Sequence, residues 1–381
     1  MMVHSDRQNI ERGIHQGIKI GHTWWHGGME FFANAHKYTS INRFFLMFDI
    51  TGFDTSVIEL FLNLYAMYTL VYYQFSSDQE RTIMIMLLKL VTERLSCKVT
   101  KMLGSIWRII LGVMPSGAFE TSHGDSWIVL LMFFCYCIYM CLTNAEFRRM
   151  YQDMMVKSLY CLMVYGDDNV SSFPEGIHIY FSPDRIKKFF KDFGGFELRD
   201  VQLIDYFLSE YTSYGTLSKK GVVFLQKYAV KTPKHMQAPG MPLVVHYRSV
   251  ETNIRKFAKG SGDLRRPIDY LLSAITGPYD NPCNIVWYEF CEMAYHYFLK
   301  EVPNWQNSID DILRDRHGSI NKAMKKAMLD KNTLLRGFPS LSDLQELLMI
   351  NREKYEKSKY YDIWSDSFKA AGEETMVYNP K

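Results

Sequence analysis

The stretch Leu162-Met163-Val164-Tyr165-Gly166-Asp167-Asp168-Asn169-Val170-Ser171-Ser172 decides how this chain is read. An apolar run from Cys161 to Tyr165 leads into Gly166 and two adjacent aspartates, and a second short run follows from Asn169. Glycine removes the steric penalty of a positive φ in a tight turn, and aspartate tolerates turn geometry. The pattern predicts a β-hairpin: a strand over Ser158–Tyr165, a turn at Gly166-Asp167-Asp168, and a return strand over Asn169–Ser172. Two carboxylates side by side at its tip repel each other unless a cation sits between them.

Working upstream, Phe45–Ile50 is a short apolar run consistent with a buried strand, and Asp49 stands at its end. A strand end is a rigid mount for a functional side chain. If this strand lies beside the hairpin, Asp49 and Asp167 converge, and Mg2+ suits such a pair because it binds through one or two carboxylates plus substrate phosphates. Helical patterns begin near Ser56 and again near Gln79. The segment from Lys98 to Phe119 reads as a hairpin and a loop, and a long apolar helix runs from about Thr121 to Arg149. Downstream of the hairpin, Ser182-Pro183-Asp184 opens a helix that ends at Gly194-Gly195. Short strands follow near Phe196–Leu198, Gly215–Leu217 and Val222–Val230. Mostly helical patterns run from about Lys234 to the end. Strands and helices in this order predict an α+β domain, with helices covering an antiparallel sheet.

Composition bounds the rest. Hydrophobic residues make up 48% and charged residues 22% of the chain, which excludes a disordered protein. The net charge of +3 does not by itself require a nucleic-acid partner, so local charge must decide. The 7 cysteines form no paired CxxC motifs and sit mostly in apolar runs, which argues against structural zinc and for a reducing compartment. Trp127–Leu142 carries no charge but falls short of the usual span of about 20 residues, so it reads as a buried core helix, with no stable transmembrane segment. The polar N-terminus lacks a signal-peptide core.

Four motifs then occur in order: Phe48–Val57 (FDITGFDTSV), Gly112–Trp127 (GVMPSGAFETSHGDSW), Val164–Val170 (VYGDDNV) and Val222–Tyr228 (VVFLQKY). Together they resemble motifs A, B, C and E of viral RNA-dependent RNA polymerases of the picornavirus-like supergroup. Asp125-Ser126 and the run Ile20–Gly28 lean toward the partitivirus and picobirnavirus side. The resemblance implies a right-hand polymerase palm with partial fingers and a mainly helical thumb. It also implies two-metal nucleotidyl transfer from nucleoside triphosphates to an RNA 3′ end, for viral genome replication and transcription.

Carried over position by position, Asp49, Asp167 and Asp168 resemble the metal-binding aspartates, with two Mg2+ ions and Mn2+ as a substitute. Asp54 resembles the aspartate that senses the ribose of the incoming nucleotide, although beside Thr55 and Ser56 it also reads as a helix N-terminal residue. Ser116 and Gly117 resemble the loop that cradles the template. Thr121 and Asp125, with Ser126, match the rest of the ribose network, Asp125 standing where picornavirus-type enzymes carry Asn. No clean motif D lysine is present, so Lys219, Lys220 or Arg199 stands in as general acid. Phe224 and Lys227 resemble the turn that supports the primer 3′ end, with Lys227 approaching a phosphate.

The resemblance places a fingers remnant at 1–44, a palm at 45–234 with a helical fingers insertion at about 60–112, and a helical thumb at 235–381. The basic residues after Lys227 would line a duplex exit. RNA template, product duplex and nucleoside triphosphates are the implied partners, with capsid or replicase proteins beside them. The implied setting is the host cytoplasm, in a replication complex or virion. Motif A begins at Phe48, so most of the fingers, with their basic triphosphate grip, are expected to be missing. The chain is accordingly expected to be a fragment with weak or no synthesis alone, which a primer-extension assay tests. A reverse transcriptase and a non-catalytic RNA-binding palm are the rivals. Asp54, Ser116-Gly117 and Thr121 argue against the first, and the intact Asp49, Asp167 and Asp168 against the second.

Overall fold

Asn42–Ile50 forms the central strand, β1, of a four-stranded sheet, and its sequence shows why. A strand with neighbours on both edges and cover on its faces reads as a continuous apolar run, and Phe45, Leu46, Met47, Phe48 and Ile50 are all buried. Each such side chain stabilises the fold by roughly 1.5–3 kcal/mol over leaving it in water. The computed structural model describes residues 18–19, 22–38, 41–72, 76–102, 106–111, 121–157, 161–259, 266–310 and 329–355.

In chain order the elements are α1 (Gly28–Ala35), β1, α2 (Phe53–Ser56), α3 (Glu59–Tyr72), α4 (Asp78–Ser96), β2 (Cys97–Met102), β3 (Ile106–Leu111), α5 (Thr121–Thr143), α6 (Ala145–Val156), β4 (Cys161–Tyr165), β5 (Asp168–Pro174), α7 (Pro183–Gly194) and β6 (Leu198–Ile204). Then come β7 (Glu210–Tyr211), β8 (Leu217–Lys219), β9 (Val223–Phe224), β10 (Lys227–Lys231), β11 (Val244–Tyr247), α8 (Val250–Lys259), α9 (Pro267–Asp280), α10 (Ile285–Glu301), α11 (Lys331–Leu335) and α12 (Leu341–Leu348). The mixture is α+β, as expected.

The chain divides into two compact units: residues 1–20 with 35–205, and residues 21–34 with 206–381. In the first, the strand order is β4-β5-β1-β6, with β1 antiparallel to both β5 and β6. The expected hairpin is therefore present and lies directly beside the Asp49 strand. Helices α5 and α7 pack against this sheet through one core that includes Phe48, Ile128, Met132, Phe133, Tyr136, Phe181, Phe190 and Phe196. Ser172 Oγ accepts from Asn42 Nδ2 and meets His36 Nδ1, each at 2.9 Å. Burial lowers the His36 pKa to about 3, which keeps that ring neutral.

Two expectations need correction. The helix expected to run from Thr121 to Arg149 breaks at Asn144, whose side chain accepts from Phe147 N–H at 2.9 Å and so caps α6. The apolar helix is also not buried all round. Residues 124–143 are long and apolar enough to cross a membrane, with a mean hydropathy of 2.0. Ile128, Val129, Met132, Phe133, Tyr136, Cys137 and Met140 face the core, while Phe134, Ile138, Tyr139 and Leu142 are exposed.

In the second unit, β9, β10 and β11 form an antiparallel sheet in the order β11-β10-β9. Position 235, where the helical thumb is expected to begin, lies between β10 and β11 of this sheet. The run His22–Gly28 finds its use here. Trp24 and Phe32 pack on Phe224, with Phe32 stacked on it at 5.3 Å between ring centroids. Helices α9 and α10 pack side by side and bury Leu271, Leu272, Ile275 and Trp305.

Candidate active site

The hairpin tip is a two-residue connection, Gly166-Asp167, closed by the Tyr165↔Asp168 pair. Gly166 has φ 61°, the conformation that made glycine the expected residue, and a Cβ there would meet nothing within 4 Å. Two side chains fix the tip. Gly166 N–H donates to Ser126 Oγ at 2.8 Å, so the first turns of α5 brace the turn. Asn169 Nδ2 donates both to Asp167 O at 2.9 Å and to Phe48 O at 2.8 Å. It thereby ties the turn to the residue just before Asp49.

The β1–β5 register, continued past Leu46↔Ser171, brings Asp49 level with Asp168. The three carboxylates act on one another: burial first, then Asp167 and Asp49, push the Asp168 carboxyl up to about 6. On its other side Asp49 is paired by Arg199 of β6, whose Nε and NH2 groups both donate to Asp49 Oδ2. Asp49 and Arg199 are direct cross-strand partners. The guanidinium is held further above its usual range, chiefly by that hydrogen bond and charge, and Asp167 adds to the effect.

The fit to a divalent cation is one of donor type. Carboxylate oxygens from adjacent strands suit a hard cation, and mutual repulsion favours one. Among the described residues, no group of three or more His, Cys, Asp or Glu side chains forms a ready-made metal cage. An all-protein cage is not what Mg2+ usually takes, because it keeps waters and shares substrate phosphates.

The remaining expected site residues divide sharply. Asp125 and Ser126 are buried near the start of α5, and the Ser126 hydroxyl is engaged with the hairpin. Ser116 and Gly117, and the side chains of Asp54 and Thr121, lie outside the described residues. The Asp54 backbone falls in α2, whose Thr55 and Ser56 hydroxyls bond back to Gly52 O and Phe53 O. Lys219, Lys220, Phe224 and Lys227 belong to the second unit. Lys219 Nζ stands 3.9 Å from the Tyr206 ring centroid, and Phe224 is a core residue.

Lys227 was expected to approach a phosphate and is instead buried. Its ammonium donates to Asp280 O and lies 3.1 Å from Asp280 Oδ1, and burial lowers its pKa to about 7. The sequence gives no sign of Asn169 as a positioning residue, since its strand also carries the polar Ser171 and Ser172. The sequence offers Arg199 only as a proton donor, because its pairing with Asp49 depends on strand register.

Residues 14–239 match the family described as viral RNA-dependent RNA polymerase. No curated protein sequence matches the chain. Among solved structures, the RNA-dependent RNA polymerase of a human picobirnavirus is similar with a TM-score of 0.51 and 12% identity, over 84% of this chain and 55% of that one. The Sicinivirus 3Dpol RNA-dependent RNA polymerase is similar with a TM-score of 0.47 and 16% identity, over 74% of this chain and 52% of that one. The chain thus spans about half the length of these structures. At such identities the picobirnavirus likeness shows the fold alone.

Proposed function

The chain belongs to the viral RNA-dependent RNA polymerases, and from that premise we propose that its first unit carries the catalytic carboxylates of template-directed RNA synthesis. The family uses divalent metal ions and binds RNA and nucleoside triphosphates. The finer reading is that two Mg2+ ions, with Mn2+ as a substitute, are held by Asp49 and Asp167 with Asp168 in support. Palm, partial fingers and thumb at 45–234, 1–44 and 235–381 belong to the same proposal, as does residence in a viral replication complex.

One observation carries this reading: Asp49 on β1 lies beside the Asp167-Asp168 hairpin, close enough that Asp49 and Asp167 both raise the Asp168 pKa. When bound, the ions would promote deprotonation of the primer 3′-hydroxyl and neutralise the triphosphate. The chain's own residues do the positioning. Ser126 and Asn169 hold the hairpin so that Asp167 keeps its distance from Asp49. Asp168 is charged less readily than an ordinary aspartate, because burial and the neighbouring Asp167 and Asp49 carboxylates disfavour its ionised form. Asp54 accepts from a ribose 2′-hydroxyl and rejects a deoxyribose.

The test is incorporation of labelled ribonucleotides on an RNA primer–template with Mn2+, together with Mn2+ binding read by electron paramagnetic resonance. Asp167→Asn should weaken Mn2+ binding by about tenfold or more and abolish whatever incorporation the wild type shows, while leaving the thermal melt in place, because Mg2+ and Mn2+ are held through one or two carboxylates and Asp167 is one of them. Undiminished incorporation by Asp167→Asn would sink the assignment.

A further inference from the structure

The β1–β6 pairing contains a bulge with a chemical consequence. Met47 pairs with Gln202 and Asp49 with Arg199, so β6 carries one extra residue, at Asp200–Val201, opposite Phe48. Asp200 has φ 50°, a left-handed conformation that a β-bulge commonly gives to glycine and that aspartate tolerates. If the pairing continued without the bulge, Asp49 would face Asp200, a like charge directly across the strands. With the bulge it faces Arg199. The strained residue therefore exchanges a repulsive pair for an ion pair at the one aspartate that shares an edge with the hairpin carboxylates.

We propose that Arg199 is the resident counter-cation of Asp49: it holds this carboxylate in place before a divalent ion arrives, and it must leave Asp49 Oδ2 for the ion to bind. The inference rests on the reading of Asp49 as a metal ligand. Both Arg199 donors go to Oδ2, the same oxygen. A metal bound through Oδ2, or through both carboxylate oxygens, thus competes with the guanidinium for that atom. The pair is suited to exchange, because the Arg199 side chain is 59% exposed and can swing into water, whereas Asp49 is 32% exposed and stays with its strand. An exposed ion pair is weak, so the competition is mild. Arg199 is a positioning residue here, acting on Asp49.

The experiment is Mn2+ titration of the full chain by electron paramagnetic resonance, for the wild type, Arg199→Gln and Arg199→Lys. Arg199→Gln should tighten Mn2+ binding about fivefold, equivalent to about 1 kcal/mol. Arg199→Lys should return it most of the way to the wild-type value. A residue with a merely structural role would loosen binding when removed. A second measurement needs no variant: in the wild type, Mg2+ should move the Arg199 Nε–H resonance to the position of a solvated guanidinium. Equal or weaker Mn2+ binding by Arg199→Gln, with an unmoved resonance, overturns the counter-cation proposal and leaves the metal reading standing. Failure of all three proteins to bind Mn2+ overturns the metal reading, and the proposal with it.

Discussion

The hairpin at Gly166-Asp167 and the hairpin at Leu225-Gln226 are built on the same plan and handle charge in opposite ways. Each joins two antiparallel strands through two residues, the first in the first unit and the second between β9 and β10. In the first, glycine supplies the positive φ. In the second, Leu225 and Gln226 adopt φ 50° and 60° without glycine. That costly turn is held from outside: Arg248 Nε donates to Gln226 O at 3.2 Å, and Lys256 Nζ donates to Gln226 Oε1 at 2.7 Å. Its charges are neutralised within the protein, since Asp280 binds both Lys227 and Arg248. The first hairpin instead gathers like charges, and Asp168 responds with a raised pKa. Charge compensated internally holds a fold together. Like charge gathered at a braced tip leaves compensation to something that binds.

The largest expected effect tests this contrast through its two carboxylates. Asp280→Ala strands two cations whose side chains are 5% and 8% exposed, so it should cost about 3 kcal/mol in urea denaturation. Asp49→Asn leaves only the exposed Arg199 without its partner and should change stability by less than about 1 kcal/mol. Equal costs would break the distinction between a structural and a functional carboxylate.

Next in size is the pH dependence of the first hairpin. The Asp168 pKa of about 6 lies above its value in the unfolded chain, so the folded state keeps the proton longer. Stability should fall as pH rises from about 4 through 6, by on the order of 1–2 kcal/mol, and stay lower above that. In Asp168→Asn the denaturation midpoint should lose this slope. The smallest effects concern the turns themselves. Gly166→Ala should cost about 1 kcal/mol from backbone strain alone, since its Cβ meets no atom. Gln226→Gly should raise stability by about 0.5 kcal/mol, strain relief offsetting the exposed Lys256 bond and the added chain entropy.

Much of the first hairpin was legible in the amino-acid sequence. An apolar run, a glycine and a return strand leave few alternatives, and the Asp49 run could be placed beside it by analogy with the ordered motifs. The second hairpin was legible as backbone and illegible as chemistry. Nothing in Phe224-Leu225-Gln226-Lys227 says that Lys227 is buried, because its partner Asp280 lies more than fifty residues away and is joined to it only by folding. The break at Asn144 was similarly hidden. Asparagine is a good cap, yet no glycine or proline interrupts Trp127 to Arg149, so the stretch reads as one helix.

The sequence by itself determined the local pieces: strands from apolar runs, a turn from glycine, a helix start from Ser182-Pro183, and the order of motifs that marks the family. These depend on steric preferences and periodicities that act over a few residues. Only the tertiary structure decided which charges meet. Arg199 reaches Asp49 because one extra residue on β6 shifts the register, and a one-residue shift reverses the side chain presented at every position beyond it. Register is set by the sum of packing along both strands, so no single residue announces it.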